Sequence, residues 1–158
     1  MSIFSKTLDA RIEINAPVTL VWQVLTNFAG YQHWNPYVVK ASGELKVGGR
    51  INAVLHQPRR GLIPMHTTIV TLTPNAELHW VGRMGLPGTF TGNHHFLLQA
   101  DGPDRTIFTQ HEDYAGLLIP FLKDMLERDT LAGFVLMNEA IKREAEKAPS
   151  VGPCVVCS

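Results

Sequence analysis

Six segments in a row between residues 38 and 114 have the pattern of β-strands, and one long helical stretch follows them. This order constrains the fold more than any other feature. The segments are VVKASGEL, RINAVLHQ, MHTTIVTLT, ELHWVGRM, TFTGNHHFLLQ and TIFTQHEDY. They are rich in β-branched and aromatic residues, and the Gly, Pro, Asn and Asp between them (VGG, PRRGLIP, PNA, GLPG, DGPD) supply turns. Consecutive strands joined by short turns predict an antiparallel meander, and a meander must cover its apolar face. The stretch PFLKDMLERDTLAGFVLMNEAIKREAEK (120–147) supplies the cover: helix formers throughout, Pro at its start, charged residues at its end.

Upstream, residues 7–16 alternate. Leu8, Ala10, Ile12 and Ile14 face one way, and Asp9, Arg11, Glu13 and Asn15 the other, as in a half-buried antiparallel strand. Pro17 suits a helix start, and Val18, Val21, Trp22, Leu25 and Phe28 form a helical stripe. GYQHWNPYV (30–38) holds one further short helical turn closed by Pro36. The expected architecture is α+β: a seven-stranded curved antiparallel sheet, two short helices after the first strand, and a long C-terminal helix in the concave face. Its buried stripe is expected at Leu122, Met125, Leu126, Leu136 and Ala140. One domain spans 1–148, and 149–158 read as a disordered tail.

The 158 residues can bury roughly two-thirds of their unfolded surface, enough for a core with an internal pocket. Fourteen basic and fourteen acidic side chains cancel, so no basic stripe points to nucleic acid or an anionic membrane. No run reaches membrane-spanning length, and MSIFSKTLDARIE lacks an apolar leader core, so a cytoplasmic location is expected. Cys154 and Cys157 lie in PCVVCS among Pro and Gly, and are expected in a frayed tail rather than a zinc or redox site.

The stretch GNHHF (92–96) places two histidines side by side in a strand. One face of the fifth to seventh strands carries Trp80, Phe90, Gly92, His94, Phe96, Leu98, Phe108, Gln110, Glu112 and Tyr114. The other carries His79, Thr91, Asn93, His95, Leu97, Ile107, Thr109, His111 and Asp113. The first holds nearly all the aromatic area and must be the concave face. His94 then points in and His95 out. The DGPD turn makes the last two strands a hairpin, with His94 opposite Gln110 or Glu112 according to register; cross-strand neighbours lie about 4.5–5.5 Å apart at Cβ. Glu112 and His94 are candidates for acid/base chemistry or for anchoring a ligand; alternatively they satisfy each other in a buried network. His33, His56, His66, His79, His95 and His111 show no His-x-His or His-x-x-x-His spacing within a segment, so no metal site is expected, and no cofactor motif is present.

Three connections, GLIP (61–64), GLPG (85–88) and GLLIP (116–120), fall at one end of a meander and put Leu62, Ile63, Leu86, Leu117, Leu118 and Ile119 at loop tips. Apolar loop tips suggest a mouth for a greasy ligand or a protein contact, unless they fold inward as a cap.

The stretches IEINAP, VWQVLTNFAGYQHWNP, LHWVGRMGLPG, GNHHFLL, FTQHEDYAGLL and GFVLMNEAIKR span 12–143, and together with the element order they resemble the START-like (SRPBCC, helix-grip) superfamily, polyketide cyclase/dehydrase and lipid-transport branch. The resemblance implies an internal apolar cavity between sheet and long helix, with no universal catalytic set to transfer. Trp34 and Met125, near the apolar end in folds of this kind, would complete a wall built of Trp80, Phe90, Phe96, Phe108, Gln110 and Tyr114, with Leu86 and Leu117 at the opening. Three functions follow: binding of a hydrophobic, aromatic or polyketide-like small molecule; a cyclase or dehydratase using Glu112 and His94; or an interaction protein that forms a homodimer through its apolar rim. Binding leads, because no nucleophile with a base and an orienting third group can be assembled.

Overall fold

A computed structural model describes residues 2–147, so Cys154, Cys157 and the expected tail lie outside the described residues. Strand β1 (Ser5–Ile14) leads into helix α1 (Val18–Thr26), a 3-10 turn (Phe28–Gly30) and the single-turn helix α2 (Tyr31–Trp34). The meander follows as β2 (Val38–Gly43), β3 (Arg50–Gln57), β4 (Gly61–Thr73), β5 (Glu77–Met84), β6 (Phe90–Ala100) and β7 (Thr106–Ala115). The chain ends as α3 (Ile119–Asp124), a π-helical segment (Met125–Thr130) and α4 (Leu131–Lys147).

All seven strands form one antiparallel sheet in the order β1-β7-β6-β5-β4-β3-β2. The meander accounts for six of them, and β1 adds itself beside β7, with Leu8 opposite Glu112 and Ile12 opposite Phe108. Register shifts between Val38 and Lys40 and between Ile69 and Thr71 bend the sheet, as extra residues in a ladder do. The helix-grip architecture expected from the sequence is therefore present. Helix α4 lies over β1 and against α1. Gly133 lets the helix come close to Tyr37, just before β2, since a Cβ there would sit 2.2 Å from that ring. That contact explains a glycine inside a helix, where it costs about 1 kcal/mol relative to alanine.

Two expectations need correction. Leu136 is not in the core: it is 41% exposed, and the inner face of α4 is formed by Phe134, Met137, Ile141 and Ala145. The cause is the π segment. A residue advances an α-helix by about 100°, so in a regular helix Phe134 and Leu136 would flank Leu126 symmetrically. One wide turn between them subtracts a step, which brings Phe134 under Leu126 and sends Leu136 to the opposite side. The second correction concerns GLIP (61–64), which is strand, not loop: β4 begins at Gly61, and the turn is confined to residues 58–60. Pro64 is tolerated because β4 there has not yet reached its first β5 partner (Thr67 opposite Gly82), so no β5 strand needs the missing N–H.

Candidate functional site

The space between the sheet and the π segment is a cavity of about 360 Å³. Its sheet wall includes Leu55, Trp80, Gly82 and Phe90, and its helical wall Leu118, Leu122, Met125 and Leu126. Ile63, expected at a loop tip, faces inward from β4 and lines the cavity, as does Leu118; Ile119 is buried as the first residue of α3. The β3–β4 turn is tied to the helical wall by Arg59 and Arg60, whose Nε groups donate to the buried Asp129 at 2.6 and 3.0 Å. The hydrogen bond from Arg59 is the main reason the Asp129 carboxyl is held below its ordinary pKa.

Of the residues singled out from the sequence, Trp80, Phe90, Tyr114, Met125, Glu112 and His94 meet on the cavity wall. Phe96, Phe108 and Gln110 are fully buried but outside that wall. Trp34 packs edge-on against Tyr31, 5.1 Å between ring centres, and does not reach the cavity. Leu86 and Leu117 are exposed at the same end as Leu62, Met84 and Phe121; Phe121, at 83% exposed, is the largest apolar surface there and went unnoticed in the sequence. The main chain joins these loops, since Leu117 and Leu118 donate to the carbonyls of Gly88 and Thr89 at 3.0 Å.

The register question resolves in favour of both partners. His94 lies directly opposite Glu112, with Nδ1 3.1 Å from Oε2, while its Nε2 meets Oε1 of the diagonal Gln110 at 3.0 Å. The imidazole is sandwiched, stacked on Phe96 at 4.1 Å and tilted against Phe134 at 4.8 Å. Gln110 in turn donates from Nε2 to the Phe134 carbonyl (3.2 Å) and to Asn138 Oδ1 (2.7 Å). A main-chain carbonyl can only accept, so it fixes the orientation of the Gln110 amide, and the Gln110 oxygen then requires a hydrogen on His94 Nε2. The other ring nitrogen, Nδ1, lies within ion-pair distance of Glu112 Oε2 but without the in-line geometry of a hydrogen bond.

Tyr114 donates its hydroxyl to the same Oε2 at 2.6 Å. Burial pushes the Tyr114 pKa well up, and the neighbouring Glu112 adds to this, so Tyr114 is a donor and never a phenolate here. Glu112 Oε1 accepts no hydrogen bond among the described residues, although it is not sealed from solvent-sized space. It lies over Gly92, where a Cβ would come within 2.6 Å of it. Gly92 therefore makes the room in which the carboxyl stands.

A second polar group faces the cavity from residues that the sequence did not flag. Gln57 donates to Thr130 Oγ1 at 3.1 Å, beside Tyr37. The Tyr37 pKa is raised, first by burial and then by the charge on Glu112, which sets the two groups within electrostatic reach. Asn138 was also missed. A polar residue on the buried face of a helix was the available signal, and it was hidden by the shifted helical phase.

A family model described as polyketide cyclase / dehydrase and lipid transport matches residues 5–146. The chain belongs to this family. No curated protein matches by sequence. Among solved structures, the Zhui aromatase/cyclase from Streptomyces sp. R1128 superposes with a TM-score of 0.72 at 19% identity, over 90% of this chain and 94% of that one. A START superfamily protein from Mycobacterium smegmatis gives 0.69 at 16% identity, over 89% and 97%. Norcoclaurine synthase from Thalictrum flavum, a point mutant holding a transition-state analogue, gives 0.67 at 14% identity, over 90% and 94%. At these identities the likeness establishes the fold shared within the family. No described helix is long and apolar enough to cross a membrane.

Proposed function

We propose that the cavity takes up a hydrophobic, aromatic or polyketide-like small molecule, and that Glu112 receives a hydroxyl or similar donor of that ligand on its open oxygen. The observation that carries this reading is the uneven use of one carboxyl. Oε2 is occupied by Tyr114 and His94, and Oε1 stands unbonded against an otherwise mostly apolar wall. A cavity of about 360 Å³ with a few convergent polar groups fits a drug-sized ligand. The family description, which includes lipid transport, and the aromatase/cyclase likeness favour the same ligand class. The test uses a neutral naphthylamine dye whose fluorescence rises in apolar surroundings. Uptake by the folded protein should quench Trp80 emission, Gly92→Leu should abolish it, and Glu112→Gln should weaken a hydroxylated dye more than its unsubstituted parent. Equal binding by all three proteins would place the dye on the surface and end this reading.

The second reading is catalysis of a cyclase or dehydratase type, and a Glu112 carboxyl placed on the cavity wall with His94 3.1 Å behind it favours it. Glu112 can take a proton from one atom of a bound chain on its open Oε1 and return it to another from the same carboxyl, with His94 and Tyr114 holding that carboxyl in place. It predicts that Glu112→Gln keeps ligand affinity and loses turnover of a poly-β-ketone substrate. A homodimer joined through Leu62, Leu86, Leu117 and Phe121, and a cytoplasmic location, belong to this proposal as its outer layer. Sedimentation of wild type against Phe121→Ser, and cell fractionation, test them.

A further inference from the structure

On the convex side of the sheet, directly behind the cavity wall, Glu77 and His79 stand two residues apart on one face of β5, and His95 stands opposite His79 on β6. The two imidazoles are stacked, 3.9 Å apart at 17°. One ligating atom from each of the three residues falls within 4.8 Å of the others, and all three side chains are half-buried. Spacing within a segment does not reveal this group, because the pairing of β5 with β6 creates it.

We propose that Glu77, His79 and His95 form a site for a divalent first-row transition metal, with zinc as the expected occupant. Two imidazoles and one carboxylate are the donor set that zinc and its neighbours favour, whereas magnesium and calcium want oxygen ligands throughout. The distances suit it. Bonds of about 2.0–2.1 Å to zinc set neighbouring ligand atoms about 3.3 Å apart in a tetrahedron. His95 Nδ1 and Glu77 Oε1 are already 2.7 Å apart, so the metal replaces the proton they share. His79 closes the remaining gap by turning a half-buried ring, and Asn93 Oδ1, 3.2 Å from His79 Nε2, is placed to hold the far side of that ring. Three ligands leave a fourth position open to water. Only strand residues supply the ligands, and a paired ladder resists the rearrangement that would pull them apart.

His111 is the nearest competing imidazole on this face, its ring 5.9 Å from His95. Both its nitrogens are already engaged, by Asp9 at 2.6 Å and Asp113 at 3.1 Å, so it is committed elsewhere. Cys154 and Cys157 lie outside the described residues and are the other ligands a zinc titration must account for.

The experiment is calorimetric titration of the tag-free, full-length protein with zinc, paired with a cobalt titration followed by visible absorption. One zinc per chain is expected. His79→Ala and His95→Ala should each weaken it by at least the roughly 10–100-fold that loss of a supporting second-layer residue costs. His111→Ala and the double variant Cys154→Ser/Cys157→Ser should bind as wild type. Independently of any variant, cobalt should broaden the amide signals of residues 77–81 and 93–97 and spare those of 117–121 at the rim. The proposal is overturned if either histidine variant binds as wild type, if the double cysteine variant abolishes binding, or if the broadening centres on the C-terminal residues.

Discussion

His94 and His95 are adjacent on one strand, and each sets Nδ1 against a glutamate: His94 against Glu112 at 3.1 Å, His95 against Glu77 at 2.7 Å. The residue types are the same and the outward contact, a hydrogen bond, is the shorter, yet the pleat separates the two pairs by environment. The inward side chains are 4% and 10% exposed, the outward ones 25% and 30%. Inside, the His94 ring is closed in by Phe96 and Phe134 and Glu112 opens only its Oε1 to the cavity, so the pair depends on Gln110 and Tyr114. Outside, water is an alternative partner, and so is a metal ion. Geometry alone therefore does not rank two ion pairs. The cost of leaving each one does.

The largest effect should come from removing the lid over the inward pair. Phe134 is fully buried, packs on the His94 ring, and offers its carbonyl to Gln110. Phe134→Ala should cost about 3–5 kcal/mol in denaturant unfolding. Leu136→Ala, two residues on, should stay within about 0.5 kcal/mol. Equal costs would mean that the helical phase set by the π segment is wrong, and the contrast between the two faces would lose its cover.

Next in size are the pair members themselves. His94→Ala and Glu112→Ala should each destabilise by about 1–3 kcal/mol, because each orphans a buried polar partner. The double variant should cost less than the sum, since contacting residues couple. The outward counterparts His95→Ala and Glu77→Gln should each cost about 0.5 kcal/mol or less in metal-free buffer. Additive losses on the inward side would show that the network is not one unit. A third comparison is geometric: Gly92→Ala drives a methyl into Glu112 Oε1, so dye affinity should fall while Asn93→Ala, its outward neighbour, leaves it unchanged.

Much of this contrast was legible in the sequence, because a strand has a period of two and aromatic residues vote for the inside as a group. Trp80, Phe90, Phe96, Phe108 and Tyr114 fixed the faces of three strands, and the DGPD turn fixed their pairing to within one diagonal. The helix was legible as a helix but not in phase, since a single π turn in MLERDT carries no clear sequence mark and rotates everything after it. The GLIP segment deceived for a different reason: Gly and Pro resemble a turn unless it is known that the neighbouring strand has already ended. Cavity groups from distant segments (Tyr37, Gln57, Thr130) and the outward Glu77–His79–His95 group exist only after pairing, so no local pattern could announce them.

The smallest effect expected concerns His111, on the outward face, and it tests whether outward ion pairs are as replaceable as argued. Asp9 holds the His111 pKa above its ordinary value of 6.5, mainly by hydrogen bonding; burial opposes this, and Asp113 adds to it. A raised value means that the folded state keeps the proton over a pH range in which the unfolded chain has lost it. The resulting stabilisation is fully present below about pH 6.5 and disappears as pH rises through the folded value. His111→Ala should therefore narrow the stability difference between pH 6 and pH 9 relative to wild type. With Asp9 and Asp113 largely in water, the change should be about 0.2–1 kcal/mol and should shrink in high salt. A pH-independent difference between His111→Ala and wild type would mean that His111 matters through packing alone. A salt-resistant one would mean that this part of the convex face is drier than its exposure suggests, and the division between the two faces would have to be redrawn there.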